Sequence, residues 1–246
     1  MVKLVNVNPD DTVYKYIPIK WLKSILSRKR MFFKQVVSWA ANDGDSFEEL
    51  FNRLKLISVK GHVVLSANSV CNYLYGQSWT GVPDTVYMWK TYSNILEFDT
   101  IAIMVGTKIS SLSKMIDDTM YYKGHSISFN DRLIGRVDYL QQEEIDKWFL
   151  SLGTFQLDKI SDYQIQYALK KRISFKNENE VRCLAWDTEK NHKTISFIIN
   201  HSLFDSFVID PRLDEEQSRG VVKFLTDLGV EPSRIKQSSL SVSNFT

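Results

Sequence analysis

Apolar positions along the chain alternate between a period of two and a period near 3.6, and each change of period marks an element. Residues 13–17 read as a short strand, and Pro18 follows where a helix can begin. In the next stretch Ile19, Leu22, Ile25 and Leu26 recur at helical spacing, which predicts an amphipathic helix. Residues 31–37 read as extended. Ser46 followed by Glu49 resembles a capping box ahead of the stripe Phe47, Leu50, Phe51, Leu54. Residues 62–66 and 100–105 read as buried strands, and 110–117 as a helix. Further on, 135–140 reads as a strand, and 143–152 and 162–171 as helices. The β-rich runs 181–186 and 194–199 flank a polar turn, the pattern of a hairpin. Residues 204–209 predict a strand. Residues 214–228 predict a helix with Val221, Val222, Leu225 and Leu228 on one side, stopped by Gly229. The Ser-rich tail 238–246 is expected to fray.

Strands and helices mix without strict alternation, which predicts an α+β fold. The expected organisation is one domain over residues 1–237, with a mixed, mostly antiparallel sheet, whole or split, flanked by helices.

Composition narrows the class. Hydrophobic residues make up 43% and charged residues 24% of 246, which excludes disordered and collagen-like chains. A chain of this length buries roughly 70–75% of its unfolded surface and needs no disulfide or metal to hold it. Lys and Arg number 31 against 29 Asp and Glu, a net charge of +2, so a globally basic nucleic-acid coat is excluded while a local patch is not. Cys71 and Cys183 are the only cysteines and read as reduced thiols. No signal-peptide pattern opens the chain, and no apolar run approaches the ~18 residues of a membrane span. The expectation is a soluble, cytoplasmic protein without a membrane partner.

The P-loop, the dinucleotide-binding glycine fingerprint, the zinc-protease helix and the nucleophile elbow are all missing. The four histidines are scattered. Three segments carry candidate chemistry. In the first, 171–182, alternation places Glu178, Glu180 and Arg182 on one partly wet face as the chain enters a strand. Carboxylates two residues apart stand roughly 6–7 Å along a strand, near enough to share an arginine. Such a face can orient a ribose hydroxyl or stabilise a cationic transition state; it is also what an ordinary solvated Glu–Arg pair looks like. In the second, Trp89 and Tyr92 fall on one side of a helical turn beside Lys90, a platform for a nicotinamide or base, or a piece of core. In the third, residues 12–42 hold Lys15, Lys20, Lys23, Arg28, Lys29, Arg30 and Lys34 with no acid. That pattern suits phosphate binding or a solvated helix face.

Taken in order, the segments resemble the bacterial and phage family catalogued as domain of unknown function 2971. The matching pieces are Tyr14-Lys15-Tyr16 with residues 21–26, Asn42-Asp43 with Phe47-Glu48, and Asp84 before Met88-Trp89-Lys90-Thr91-Tyr92. They continue with residues 102–107, Gly135 to Tyr139, the block from Lys171 to Arg182, Pro211 and Gln237 to Leu240. The family's layout loosely resembles ADP-ribosyltransferases, which bind NAD as a substrate in a split sheet. The resemblance implies Glu180 at the nicotinamide ribose and Glu178 assisting the acceptor. It further implies Trp89 and Tyr92 lining the nicotinamide pocket, Lys15 or Tyr16 as the first-strand residue with Lys15 on the pyrophosphate, and Arg182 fastening the glutamates. A nucleic-acid or protein acceptor and a setting of phage–host conflict follow from the same resemblance. Two other classes stay open: a nucleic-acid-binding protein or nuclease with Asp138, Glu178 and Glu180 around a metal, and a non-catalytic interaction module.

Overall fold

The structure is a computed structural model. It describes residues 2–39, 55–57, 64–66, 73–117, 120–122, 125–127, 131–151, 168–186, 192–200 and 202–245. The expected capping box at Ser46, the Asn42-Asp43 and Phe47-Glu48 pieces, Cys71, and residues 162–167 of the expected helix lie outside the described residues.

In chain order the first elements are β1 (Lys3–Val5), β2 (Thr12–Pro18), α1 (Ile19–Arg28) and β3 (Arg30–Gln35). Then come β4 (Lys55–Ile57), β5 (Val64–Ser66), β6 (Leu74–Thr80), α2 (Val86–Tyr92), β7 (Ala102–Lys108) and α3 (Ile109–Asp117). The middle of the chain gives β8 (Met120–Tyr122), β9 (His125–Ile127), β10 (Asp131–Arg136), β11 (Asp138–Leu140) and α4 (Gln142–Ser151). The last are β12 (Lys170–Arg172), β13 (Glu180–Trp186), β14 (Thr194–Ile198), β15 (Ser206–Ile209), α5 (Glu215–Asp227) and β16 (Ile235–Gln237). The fold is α+β, with mixed but mostly antiparallel pairing: β1–β10, β11–β12 and β15–β16 are parallel, while β2–β7, β7–β15 and β10–β13 are antiparallel.

The chain divides into two compact units. One comprises residues 1–7, 32–78 and 119–196, the other 8–31, 79–118 and 197–246, and each boundary near 31, 78 and 196 falls inside a strand. In the second unit the strands follow the order β16, β15, β7, β2. Helix α1 forms because its apolar positions fall on one stripe: Ile19, Leu22, Ile25 and Leu26 are buried. It ends at Lys29, whose left-handed φ of 51° breaks the hydrogen-bond ladder. Helix α5 starts at a full capping box, with Asp214 and Gln217 bonding each other's backbone N–H. It buries Val221 and Leu225 and is followed by Gly229 at φ 83°, a conformation that suits a residue without Cβ.

In the first unit β13 has β10 and β6 as neighbours, and all seven of its residues are buried. The expected hairpin does not form: β14 neighbours β3 and β8 instead. β13 is buried on both faces and carries no alternation that names a partner, so adjacency in sequence misleads here. Two further corrections concern local structure. The expected strand 135–140 is broken at Val137 into β10 and β11, and Lys170–Arg172, placed at the end of a helix by the sequence, is β12.

Candidate functional site

Glu180 opens β13, and Arg182 follows on the same face of the strand. Arg182 Nε donates to Glu180 Oε1 and Nη2 to Oε2, both at 3.0 Å, a bidentate clasp. Arg182 Nη1 donates to the carbonyl of Ala168 at 2.7 Å, and the guanidinium carbon lies 4.8 Å from the ring centre of Trp39. That ring fits because residue 76 is glycine: a Cβ there would stand 2.8 Å from Trp39. Lys171 Nζ completes the cluster, 2.9 Å from Glu178 Oε2 and 3.6 Å from Glu180 Oε2. Tyr139 Oη accepts the backbone N–H of Glu180 at 2.8 Å.

This is a dry site. Glu180 is 4% exposed and Arg182 1%, so the partly wet face expected from alternation is corrected to a buried one. Burial alone would raise the Glu180 pKa, but the Arg182 and Lys171 charges and hydrogen bonds from Arg182 and Ser78 outweigh it and bring it down to about 2. Burial pushes the Tyr139 hydroxyl up to about 12, and the two glutamates add to that. Glu178 lies before the strand, on the 3₁₀ turn Ile173–Glu178, and Asn179 between the two glutamates is left-handed at φ 41°. The two carboxylates therefore meet at Lys171 through a turn rather than along a pleat. Among the described residues no group of three His, Cys, Asp or Glu side chains could hold a metal ion; Asp138 lies 3.7 Å from Lys170 instead. The metal arrangement considered from sequence is thereby corrected for these residues, because Glu178 and Glu180 each face a cation.

The second group of predicted residues sits in the other unit. Tyr16 meets Trp89 edge-on at 4.7 Å and stacks with Tyr92 at 6.3 Å and 27°. Trp89 is fully buried, and its indole N–H donates to Asp84 Oδ1 at 2.8 Å, whereas Tyr92 is 42% exposed. The Tyr16 hydroxyl accepts the Thr85 N–H, and burial lifts its pKa far above the phenol range. Lys15, the next residue of β2, points to the opposite face of the strand. There its Nζ lies 5.9 Å from the ring centre of Trp79. Trp79 is 2% exposed, and its indole N–H has no hydrogen-bond partner among the described residues. Trp79 and Tyr139 fall in segments that the sequence marks without defining their partners, and Trp39 carries no sequence signal, since a lone aromatic has no pattern to betray its partner.

Asp84 proves a hub that spacing alone left undefined. It sits at φ 49° and accepts from Ser238 Oγ at 2.6 Å and from Ser239 N and Oγ at 2.6 and 2.7 Å, besides Trp89. Leu240 and Phe245 pack against the cluster of Tyr16, Met88 and Trp89. The tail expected to fray is held by these contacts. Arg212 closes the end of α2, its Nη2 donating to the carbonyls of Trp89 and Ser93 and to Asp210.

No protein-family model matches the chain, and no curated protein does. Solved structures do. The chain is similar to Thermus sp. 2.9 DarT in complex with NAD+, at 11% identity and a TM-score of 0.39, over 94% of this chain and 97% of that one. It is similar also to Thermus sp. 2.9 DarT in complex with ADP-ribosylated ssDNA, at 12% identity and a TM-score of 0.39, over 100% and 99%. No helix of the described residues is long and apolar enough to cross a membrane.

Proposed function

We propose that the chain takes NAD as a substrate and breaks its nicotinamide–ribose bond in an ADP-ribosyltransferase-like reaction. The observation that carries the reading is the Trp79 indole N–H, buried without a partner among the described residues, beside the Lys15 ammonium. An orphaned buried donor costs roughly 1–3 kcal/mol, and an anionic oxygen would remove that cost. A pyrophosphate supplies such oxygens. Tyr16, Trp89 and Tyr92 lie on the opposite face of β2 from Lys15 and have no part in this reading.

Nicotinamide departs with the bonding electron pair, positive charge develops at the ribose, and an acceptor oxygen or nitrogen attacks and releases a proton. A carboxylate that stays ionised through this change stabilises the developing charge. Within the first unit, Glu180 is the candidate for that role, because Arg182 and Lys171 keep it ionised. Glu178 is assigned to the acceptor, a nucleic acid or a protein.

Nicotinamide release from labelled NAD, with and without single-stranded DNA or lysate, tests the reaction; no release under any condition overturns it. Trp79→Phe removes the indole N–H together with part of the buried ring, so NAD affinity should fall on the order of 10-fold, and the cavity left behind should lower the melting temperature as well. Equal affinity would remove the observation on which the reading rests.

A further inference from the structure

The exposed side of α1 is built for something other than solvent. Lys20, Trp21, Lys23, Arg28 and the following Lys29 are all exposed, and residues 12–42 contain no acid. Among the described residues Lys20, Lys23, Arg28 and Lys29 form no ion pair. Glu97 precedes, and Asp99 lies within, the turn Phe98–Thr100 on which α1 packs, and neither pairs with these cations. Local helix energetics do not explain the pattern. Arg28 in the last turn suits the helix dipole, but Lys20 stands in the first turn, where a cation is disfavoured and no acid offsets it. Trp21 is the more unusual member. It is 60% exposed, with the Lys20 ammonium 5.6 Å from its ring centre. Trp21, Ser24 and Arg28 follow the i, i+3, i+7 stripe, and Lys20, Lys23 and Ser27 follow the neighbouring one, so ring and cations share one surface.

We propose that this face of α1 binds single-stranded nucleic acid, the cations on phosphates and Trp21 stacked on a base. Every base offers a π face and every linker a charge, so this combination recognises a strand without reading sequence. A duplex hides its base faces and leaves Trp21 without a partner. A lipid surface fits less well. The apolar stripe Ile19, Leu22, Ile25, Leu26 is already buried, and one tryptophan is too little to hold a helix in a membrane. The inference stands apart from the NAD reading, because it concerns binding alone and its test contains no NAD.

The probe is a fluorescein-labelled twenty-residue oligothymidine, with a random-sequence duplex of equal length and phosphatidylserine-containing vesicles as comparators. With four phosphates neutralised, affinity for the strand should weaken roughly 50-fold between 50 and 200 mM salt. Lys23→Gln with Arg28→Gln should cut that ratio to about 7-fold, since two contacts are gone. Trp21→Ala should weaken binding on the order of 10-fold at constant salt. All three residues are exposed, and circular dichroism of each variant confirms the fold. Strand affinity and salt slope unchanged in both variants, or tighter binding to duplex or vesicles than to the strand, overturns the proposal.

Discussion

Arg182 holds Glu180 through two parallel hydrogen bonds of 3.0 Å, between side chains two residues apart on a strand that is buried throughout. Lys171 lies against the same carboxylate, so two buried cations depend on one charge. Glu180→Gln keeps the shape and removes that charge. Breaking such a pair from one side costs about 3–5 kcal/mol, because the surviving charge stays buried. In a chain of this size the melting temperature should drop on the order of 10 °C. A variant melting within a degree or two of wild type would mean that water reaches the site and that the charges are screened.

The same carboxylate sets an acid limit on stability. Its pKa in the fold is about 2 against 4.5 for an ordinary glutamate. The unfolded chain therefore binds the proton more readily, and stability rises with pH between those values. The contribution is fully present above about pH 4.5 and is lost as pH falls towards 2. Its size is on the order of 3 kcal/mol. Urea unfolding at pH 5 and pH 3 should show a drop in wild type that is much smaller in Glu180→Gln. Parallel pH profiles would assign the acid sensitivity to other groups.

Boundaries inside β3, β6 and β14 predict how the chain unfolds. Each of these strands has residues in both compact units, so melting one unit strips part of a strand from the other. Residues 1–237 should lose secondary structure and tryptophan fluorescence in one transition. Two resolved transitions by circular dichroism and fluorescence would make the units separate domains.

What the sequence reveals and conceals follows from period. Helices α1 and α5 are legible because each buries one stripe, Ile19 to Leu26 in one and Val221 with Leu225 in the other, and leaves the opposite side polar apart from Trp21. The pairing of β13 is not legible, because a strand buried on both faces carries no alternation to orient it. Glu180 and Arg182 do share a face, as two-residue spacing requires. Glu178 joins them by a different route, a left-handed turn at Asn179 that no hydrophobic period encodes. Tyr16, Trp89 and Tyr92 meet because i, i+3 spacing on α2 aims two rings at β2. Lys15 parts from them for an equally simple reason: neighbours in a strand point opposite ways.

The C-terminal tail carries the last prediction. Ser238 and Ser239 donate to Asp84, which also receives the Trp89 indole, so one carboxylate ties the tail to the core side of α2. Burial works against the charge, but the Ser238, Trp89 and Ser239 hydrogen bonds prevail and hold the Asp84 pKa below the ordinary range. Asp84→Ala removes four accepted hydrogen bonds and places a Cβ residue without a local hydrogen-bonding side chain at φ 49°. The loss should be about 2–4 kcal/mol. Asp84→Gly separates the two causes, since glycine adopts that φ freely while still lacking the carboxylate. If the bonds dominate, both variants melt well below wild type and both lose amide-exchange protection at Ser239, whose N–H donates directly to the carboxylate. A glycine variant that recovers wild-type melting would show instead that Asp84 is kept for its backbone conformation, with the serine contacts contributing nothing measurable.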